Sequence, residues 1–186
     1  MKSSKRIFPK LVILAVALLA LSFSTEAISQ VGKPPSITEV ADRLEIQELM
    51  ARYSFGINFG DIEGFVGCFT DDAIFETPLG TQKGAEALRK YVSSRSEERR
   101  ARPVRHFVTN LIFTELQEDQ ATTKSYFFMT RVLKDSDTIQ FLTTGTYTDK
   151  LRKTGGKWRI SHRKIELDTL EWSKQVFPPS YLNKSK

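Results

Sequence analysis

His106 is the residue whose type and surroundings point most directly to chemistry. It is one of only two histidines, the other being His162. Side chains alternate along a strand, so in the predicted strand 104–112 the face of His106 also carries Val104, Val108, Asn110 and Ile112. A histidine among apolar neighbours suits proton transfer, because its pKa lies near neutral pH. The alternative is a purely structural role, in which His106 is a buried core residue with its hydrogen bonds satisfied.

Other catalytic signatures do not occur in the sequence. Two histidines and the single Cys68, without a cluster of carboxylates, do not make a metal site. Neither a Gly-rich phosphate loop nor a Gly-x-Ser-x-Gly motif occurs, which argues against nucleotide chemistry and serine hydrolysis. We therefore expect no metal and no other cofactor. Cys68 shares a predicted helical face with Phe65 and Phe69, and we interpret it as a small buried hydrophobic residue.

Length and composition indicate one globular domain. The 186 residues are 40% hydrophobic, 27% charged and 11% aromatic, which is enough apolar material for one core. The formal net charge is +6, and residues 1–27 contribute half of it through four basic residues and one acid. The remaining excess is mild and spread along the chain, so we expect no nucleic-acid partner.

The first 27 residues have the pattern of a secretory signal peptide. Basic residues up to Lys10 precede an apolar stretch from Leu11 to Ala20, and small residues lead to Ala27. This stretch is shorter than the ~20 residues that a membrane-spanning helix needs. We expect cleavage near Ala27 and a secreted or periplasmic protein with no membrane anchor. A linker at 28–35, one domain at 36–172 and a loose tail at 173–186 are expected to follow.

Three helices are predicted ahead of the main strands. Ser36 and Glu39 fit a capping box at the start of the first helix, and Gly60 ends it. Its apolar stripe is predicted at Val40, Leu44, Leu49, Tyr53 and Ile57, flanked by Ile46 and Met50. A second helix, capped by Asp61, is expected to run to about residue 69, and a third is expected over residues 85–98.

The second half of the chain is predicted to be an antiparallel meander. After a first strand at 73–78, long segments rich in Val, Ile, Thr, Phe and Tyr occupy 104–116, 121–133, 138–152 and 157–167. Hairpin turns separate them. Helices followed by a meander predict an α+β fold with helices packed on one face of a curved, mixed or antiparallel sheet.

This order of elements resembles the SnoaL-like branch of the nuclear transport factor 2-like superfamily. The likeness extends from about Ile37 to Asp168 and rests on Ala41–Ile46, Leu49, Tyr53, Gly60–Asp61, Phe69–Ala73, Phe75, Gly84, Arg105–His106, Asn110, Gly145–Asp149, Gly156–Ile160 and Arg163. The resemblance implies a cone-shaped α+β barrel, with helices and sheet around an apolar pocket, and commonly a dimer formed through the sheet. Members of the superfamily include polyketide cyclases, dehydratases, dehydrochlorinases, isomerases and ligand binders without activity, so the fold alone does not set the function.

The resemblance also assigns roles to residues of the expected pocket. Its dehydratases and dehydrochlorinase place a catalytic histidine at the position of His106 and pair it with an aspartate, where this chain has Asn58. An amide can hold the ring by a hydrogen bond, but it does not supply the negative charge of a carboxylate. Tyr53 is expected to point into the pocket as a hydroxyl donor, or else to pack its ring in the core.

Arg163 matches an arginine that the dehydrochlorinase uses to help an anion leave. In this role it would hold developing negative charge in the pocket. Strict alternation, however, places Arg163 on the face opposite Trp158 and Ile160, and only a bulge would exchange the two faces. His162 is interpreted as a surface or dimer-face residue, and Glu76 as solvent-facing.

Two functions are weighed most closely. The first is a cofactor-independent lyase or isomerase in which His106, Asn58, Tyr53 and Arg163 act on a small hydrophobic carbonyl or polyketide-like compound, bound also by Asn110, Phe75, Phe127 and Tyr147. The second is a ligand-binding module without chemistry, which Asn58 in place of an acid favours. A third possibility is an interaction role in which the pocket is filled by side chains.

Overall fold

The computed structural model describes residues 34–168 apart from 102, 134, 135 and 137. The predicted signal peptide, nearly all of the linker and the C-terminal tail lie outside these residues. The chain divides into two units at Val40. Within the described part of the first unit, the backbone N–H of Glu39 donates to Ser36 Oγ at 3.1 Å, as the predicted capping box requires.

Three helices and six strands make up the described part of the chain. The helices are α1 (Ile37–Phe59), α2 (Ile62–Val66) and α3 (Gly84–Ala101). The strands are β1 (Phe69–Thr77), β2 (Gly80–Lys83), β3 (Val104–Leu116), β4 (Gln120–Val132), β5 (Ile139–Thr154) and β6 (Lys157–Leu167). The second helix is shorter than predicted, because the chain is already extended at Phe69. The short strand β2 was not predicted.

The strands form one mixed sheet in the order β2-β1-β6-β5-β4-β3. Strands β1 and β6 are parallel, and the other neighbours are antiparallel. The predicted α+β fold with a mixed sheet is therefore confirmed. The sheet has two edges, β2 and β3, and does not close into a barrel over the described residues. No helix in the described ranges is both long and apolar enough to cross a membrane.

Helix α1 buries its predicted apolar stripe except near its start. Ile46, Leu49, Met50, Tyr53 and Ile57 are buried as expected, whereas Leu44 is 60% exposed and Val40 is also exposed. The buried position nearest the start of the stripe is Asp42, at 6% exposure. The pattern of apolar residues does not predict that this turn is buried. Its buried residue, Asp42, is charged and depends on hydrogen-bond partners from another part of the chain.

Asp42 ties helix α1 to the hairpin between β5 and β6. Its Oδ1 accepts hydrogen bonds from Trp158 Nε1 at 2.9 Å and from Lys153 Nζ at 2.6 Å. Glu45 on the next turn accepts the backbone N–H of Trp158 at 3.0 Å. Burial alone would raise the pKa of Asp42, but the hydrogen bonds from Lys153 and Trp158 outweigh it and hold that pKa below its usual range.

This arrangement predicts an acid-sensitive contribution to stability. A carboxyl whose pKa is lower in the folded state stabilises the fold above its unfolded pKa of about 3.9, and this contribution disappears as the pH falls through the folded value. We expect Asp42→Asn to lower the melting temperature at pH 7, with a difference from wild type that shrinks below about pH 4. Thermal unfolding between pH 7 and pH 3 measures it. Glu48→Gln, in the exposed pair with Arg52, is the control; an Asp42→Asn effect independent of pH would contradict the assignment.

Local sequence signals in the short helix α2 are also confirmed. Asp61 Oδ1 accepts the backbone N–H of Gly64 at 2.9 Å and caps the helix. Cys68 is buried, and its thiol donates to the Gly64 carbonyl oxygen at 3.2 Å. Burial raises the pKa of this thiol to about 11, so it is protonated and unreactive at neutral pH.

Candidate functional site

A bulge in β6 decides which residues of that strand face the interior. Ile160 is paired with Leu151, but His162 is paired with Lys150, so Ser161 is an extra residue in β6. Beyond this point the inward positions change parity. Arg163 is consequently fully buried on the same side as Trp158 and Ile160, and the orientation expected from strict alternation is wrong.

Arg163 forms a buried ion pair with Asp149, its neighbour across β5 and β6. The guanidinium donates through Nε to Asp149 Oδ1 at 2.7 Å and through Nη2 to Oδ2 at 2.6 Å. Both side chains have zero exposure. Burial alone would lower the pKa of Arg163, but the Asp149 carboxylate raises it above its ordinary value. Arg163 therefore keeps its positive charge, with Asp149 as its counterion.

The guanidinium of Arg163 lies against two tyrosine rings. Its Cζ is 4.1 Å from the ring centroid of Tyr53 and 4.2 Å from that of Tyr147, within the range of a cation–π contact. Burial raises the pKa of Tyr53, and it raises that of Tyr147 well above its ordinary value. Both phenols are thus neutral at physiological pH and able to donate a hydrogen bond.

In front of these tyrosines lies an apolar cavity of about 80 Å³. Its apolar lining consists of Ile57, Phe75, Pro78, Leu79, Phe127, Met129, Ile165 and Leu167. The lining residues with polar side chains are Tyr53, Thr77, Tyr91, His106, Thr143 and Tyr147. Among the described residues, no aspartate, glutamate, lysine or arginine lines it. The structure therefore places Arg163 behind the cavity wall rather than in it.

Stacked and edge-on aromatic rings shape this cavity. Phe127 and Tyr147 are stacked with centroids 4.2 Å apart and planes 9° apart. Phe75 and Tyr91 meet edge-on at 5.2 Å, as do Tyr53 and Tyr147 at 5.9 Å. Rings packed against one another in these geometries have little freedom to rotate, so the cavity walls are pre-organised for a ligand.

Gly145 makes room for the stacked pair. A Cβ at this position would lie 2.2 Å from the carbonyl oxygen of Glu166 and 2.7 Å from Cε1 of Phe127. Since the first contact is with backbone, it cannot be relieved by a side-chain rotation. The absence of a side chain at Gly145 is thus a condition for the position of Phe127 in the wall.

We expect Gly145→Ala to destabilise the protein by roughly 1–3 kcal/mol, the usual range for overpacking. Chemical denaturation measures this, and ligand binding should weaken with it because Phe127 is displaced. Thr146→Ala, one residue along β5, is the matched control, since its side chain faces the other side of the sheet. A Gly145→Ala protein as stable as wild type would show that β5 and β6 separate easily at this point.

His106 is buried in the cavity lining and held by Asn58 from the C-terminal end of α1. Asn58 Oδ1 accepts the backbone N–H of His106 at 3.1 Å and lies 2.6 Å from His106 Nδ1. A backbone N–H can only donate, so the side-chain atom facing it is the carbonyl oxygen and not the amide nitrogen. That oxygen can only accept, so Nδ1 carries a proton. In the neutral ring, Nε2 is then the basic nitrogen.

Asn110 is not where the sequence predicts it. A register shift in β3 falls between Thr109 and Ile112, and Asn110 adopts a positive φ of 53° within it. The side chain is exposed and lies outside the cavity lining. The predicted shared face with His106 is therefore wrong, because the irregularity ends the alternation beyond Val108.

Two other polar residues lie away from the cavity. His162 Nε2 is 2.9 Å from Glu76 Oε1, and both side chains are partly exposed. This pairing agrees with the interpretation of His162 as a surface residue.

The described part of the chain contains no group of three or more His, Cys, Asp or Glu side chains that could hold a metal ion.

Sequence reasoning did not assign Asp149 to the site, nor several residues of the cavity lining, among them Met129, Thr143 and Ile165. Asp149 could have been found by counting back from the Gly155-Gly156 turn, where Thr154 pairs with Lys157. Regular pairing would place Asp149 opposite His162, and one bulged residue places it opposite Arg163. Met129 and Thr143 follow from His106, because the three lie side by side across β3, β4 and β5.

Comparisons with known proteins agree with the fold. A family model described as a SnoaL-like domain matches residues 38–164. A protein of unknown function from Mycobacterium tuberculosis, solved as an aspartate-to-asparagine variant, is 37% identical with a TM-score of 0.63, over 70% of this chain and 78% of the other. No match is found among curated protein sequences.

Two further solved structures are similar. A protein of unknown function with a cystatin-like fold from Nostoc punctiforme is 29% identical with a TM-score of 0.60, over 70% of this chain and 93% of the other. A protein named as an aromatic ring hydroxylase from Novosphingobium aromaticivorans is 26% identical with a TM-score of 0.61, over 73% and 98%.

Proposed function

Because the chain belongs to the SnoaL-like domain family, we propose that it is a cofactor-independent lyase or isomerase with His106 as its general base. The observation that carries this proposal is the double contact of Asn58 Oδ1 with the backbone N–H and Nδ1 of His106. It fixes the tautomer in which Nε2 is basic. Asn58 is not part of the cavity lining, so the Nδ1 edge is directed away from the cavity and the Nε2 edge serves the substrate.

The reaction begins with removal of a proton from a carbon next to a carbonyl group. Nε2 of His106 takes the proton, and the electron pair of the C–H bond moves towards the carbonyl oxygen to give an enolate. A neutral phenol, from Tyr53 or Tyr147, stabilises this oxygen by donating a hydrogen bond. Return of the proton to another carbon completes an isomerisation, and expulsion of a leaving group with the proton completes an elimination.

The lining defines the class of substrate. Apolar and aromatic side chains surround a few hydroxyl groups, and no acidic or basic side chain of the described residues other than His106 reaches the cavity. A ligand carboxylate would be desolvated there without a counterion, which is unfavourable. The substrate is accordingly a small, neutral, hydrophobic carbonyl compound, of which polyketide-like molecules are one class.

Native mass spectrometry of residues 28–186, purified gently from the producing cells, tests this proposal. A retained molecule is released, identified and incubated with fresh wild-type protein and with His106→Gln protein. The proposal predicts conversion to a product of equal mass, or to one that has lost a small molecule, by wild type only. A retained molecule that neither protein converts would contradict it.

Binding without chemistry is the second candidate, and Asn58 favours it. A neutral amide stabilises the imidazolium formed during proton transfer less than a carboxylate would. In this case the cavity is a carrier site, and His106 Nε2 accepts a hydrogen bond from a ligand hydroxyl. Incubating the retained molecule with fresh wild-type protein distinguishes an enzyme from a carrier, because a carrier releases its ligand unchanged.

We further propose a homodimer formed through the outer face of the sheet. Phe107, Phe128 and Phe141 stack there in a row, with centroids 4.5 Å and 5.9 Å apart. Phe107 is 42% exposed and Phe141 58% exposed, which is unusual for a stacked aromatic cluster without a partner surface. Native mass should show a dimer that Phe141→Glu converts to a monomer; a monomeric wild type would exclude this arrangement.

Export remains a proposal that rests on the N-terminal sequence. Basic residues, a short apolar stretch and small residues before Ala27 favour removal of a signal peptide. The mass of the protein recovered from the producing cells and their medium tests it. A chain that begins near residue 28 is expected, and a full-length chain confined to the cytoplasm would contradict it.

A further inference from the structure

Arg163 is a buried cation that lies directly behind the wall of the cavity. Its side chain is fully buried and is not part of the cavity lining. Tyr53 and Tyr147, whose ring centroids are 4.1 and 4.2 Å from the guanidinium carbon, do line the cavity. Any effect of this charge on a ligand is therefore transmitted through these two tyrosines.

The guanidinium of Arg163 is bound to Asp149 along one edge only. Nε and Nη2 donate to the carboxylate at 2.7 and 2.6 Å, and the planar guanidinium then directs Nη1 away from it. Nη1 is buried and has no hydrogen-bond partner among the described residues. The side of the guanidinium opposite Asp149 thus keeps N–H groups that the carboxylate does not use.

The two phenols of the wall are not equivalent. Burial raises the pKa of each, and the positive charge of Arg163 acts against burial in both. At Tyr147, the phenol of Tyr53 and the carboxylate of Asp149 add to the effect of burial. Asp149 is two residues from Tyr147 on the inward face of β5, whereas Tyr53 belongs to α1. Tyr53 is therefore the more acidic phenol and the stronger hydrogen-bond donor.

The contact between the two hydroxyl groups has a direction. The rings of Tyr53 and Tyr147 meet edge-on with centroids 5.9 Å apart. In addition to the effect of burial, the hydrogen bond between them lowers the pKa of Tyr53 and raises that of Tyr147. A hydrogen bond stabilises the ionised form of its acceptor and is lost when its donor ionises. The O–H of Tyr147 is therefore the donor, and the proton of Tyr53 is left for an acceptor in the cavity.

We propose that Arg163 acts on the ligand through Tyr53, by strengthening the Tyr53 hydroxyl as a hydrogen-bond donor to a carbonyl oxygen. Arg163 is a positioning residue in this role, because it does not reach the cavity itself. It stabilises negative charge on the ligand oxygen without placing a cation beside it. The inference rests on the proposed function in that this oxygen becomes the enolate oxygen, but a carrier that binds a carbonyl compound would use the same donor.

The carbonyl stretching frequency of bound acetophenone tests the role of Tyr53 without turnover. Acetophenone is a small, neutral, hydrophobic ketone, and its C=O stretch moves to lower frequency as its oxygen accepts a stronger hydrogen bond. Infrared difference spectra with isotope-labelled carbonyl should show a low-frequency band in wild type that moves up in Tyr53→Phe, with affinity about 2–10-fold weaker. Tyr126→Phe, at an exposed tyrosine, is the matched control.

Three results would overturn the role of Tyr53. They are an unchanged band in Tyr53→Phe, a larger shift in Tyr147→Phe or Tyr91→Phe than in Tyr53→Phe, and a wild type without a carbonyl band from bound acetophenone. Phenylalanine has the shape of the tyrosine ring, so these variants remove a hydroxyl group and leave the aromatic packing in place.

Removal of the buried charges tests the role of Arg163. Asp149→Leu with Arg163→Met removes both members of the ion pair, leaves no uncompensated internal charge and retains both phenols. The acetophenone band should move part of the way towards its position in Tyr53→Phe, and an unchanged band would overturn this role. Asp149→Asn with Arg163→Gln is the second uncharged pair if the first does not fold. A protein that shows these shifts but converts no substrate would contradict the lyase or isomerase function and retain this inference.

Discussion

Replacing His106 with glutamine is expected to lower kcat/KM by about 10²–10⁴-fold, the usual contribution of general acid–base catalysis. Glutamine can still contact Asn58, but it has no nitrogen that accepts a proton at neutral pH. The substrate is the compound that the wild-type protein retains and converts. Steady-state kinetics on purified protein measure the loss, and circular dichroism and melting temperature establish that the fold is intact.

His162→Gln is the matched control for this experiment. His162 lies beside Glu76, outside the cavity lining, so its replacement should leave kcat/KM unchanged. Asn58→Leu should impair activity without removing the base, because it releases the ring from the tautomer that makes Nε2 basic. Undiminished turnover in His106→Gln protein would remove His106 from the mechanism.

Asp149→Asn is expected to destabilise the protein by about 3–5 kcal/mol, the range for a buried ion pair that loses one partner. Asparagine has nearly the same shape but no charge, so the Arg163 guanidinium is left buried without a counterion. Urea denaturation at pH 7 measures the change. Because the guanidinium lies against Tyr53 and Tyr147, the cavity wall should loosen as well, and ligand binding should weaken.

Glu166→Gln, in the neighbouring strand β6, provides the comparison. Glu166 pairs with Lys164, and the two side chains are 55% and 50% exposed, so solvent screens the interaction and little stability should be lost. Replacing both members of the buried pair by Asp149→Leu and Arg163→Met should recover much of what Asp149→Asn loses. Equal effects of Asp149→Asn and Glu166→Gln would contradict the picture of an uncompensated internal charge.

Local signals predict the elements of this fold well. Ser36 and Asp61 cap helices where their side chains and the following residues predict it. The pair of Glu48 and Arg52 forms at 3.0 Å on the exposed side of α1. Gly155 and Gly156 occupy the turn between β5 and β6 with positive φ angles. In each case, residues within four positions of one another determine the structure, so the sequence alone is sufficient.

The orientation of two predicted site residues depends on bulges in strands β6 and β3, which short-range sequence signals do not reveal. One extra residue at Ser161 turns Arg163 inward, and an irregularity at Asn110 turns that side chain out of the cavity. Alternation gives the wrong face for both, since a single bulge inverts every position after it. Neither bulge is marked by a glycine or proline, so pairing with the neighbouring strands is what reveals them.

The burial of Asp42 is a second feature that the sequence does not predict. A carboxylate on a helix is predicted to face water, yet this one is buried against Trp158 and Lys153, more than a hundred residues away. Its burial depends on partners that only the tertiary structure brings together. The same is true of Asn58, whose relation to His106 followed from a family resemblance and not from spacing in the sequence.

The protonation of the His106 ring tests the central claim most directly, because it requires no knowledge of the substrate. Nitrogen-15 NMR of protein labelled in its histidine rings, recorded at a pH where the ring is neutral, distinguishes the two nitrogens, and His106→Gln assigns the signals. The structure predicts a protonated Nδ1 and an unprotonated Nε2 in wild type, with this preference lost in Asn58→Leu. A wild-type ring with its proton on Nε2 would contradict the assignment of His106 as the base.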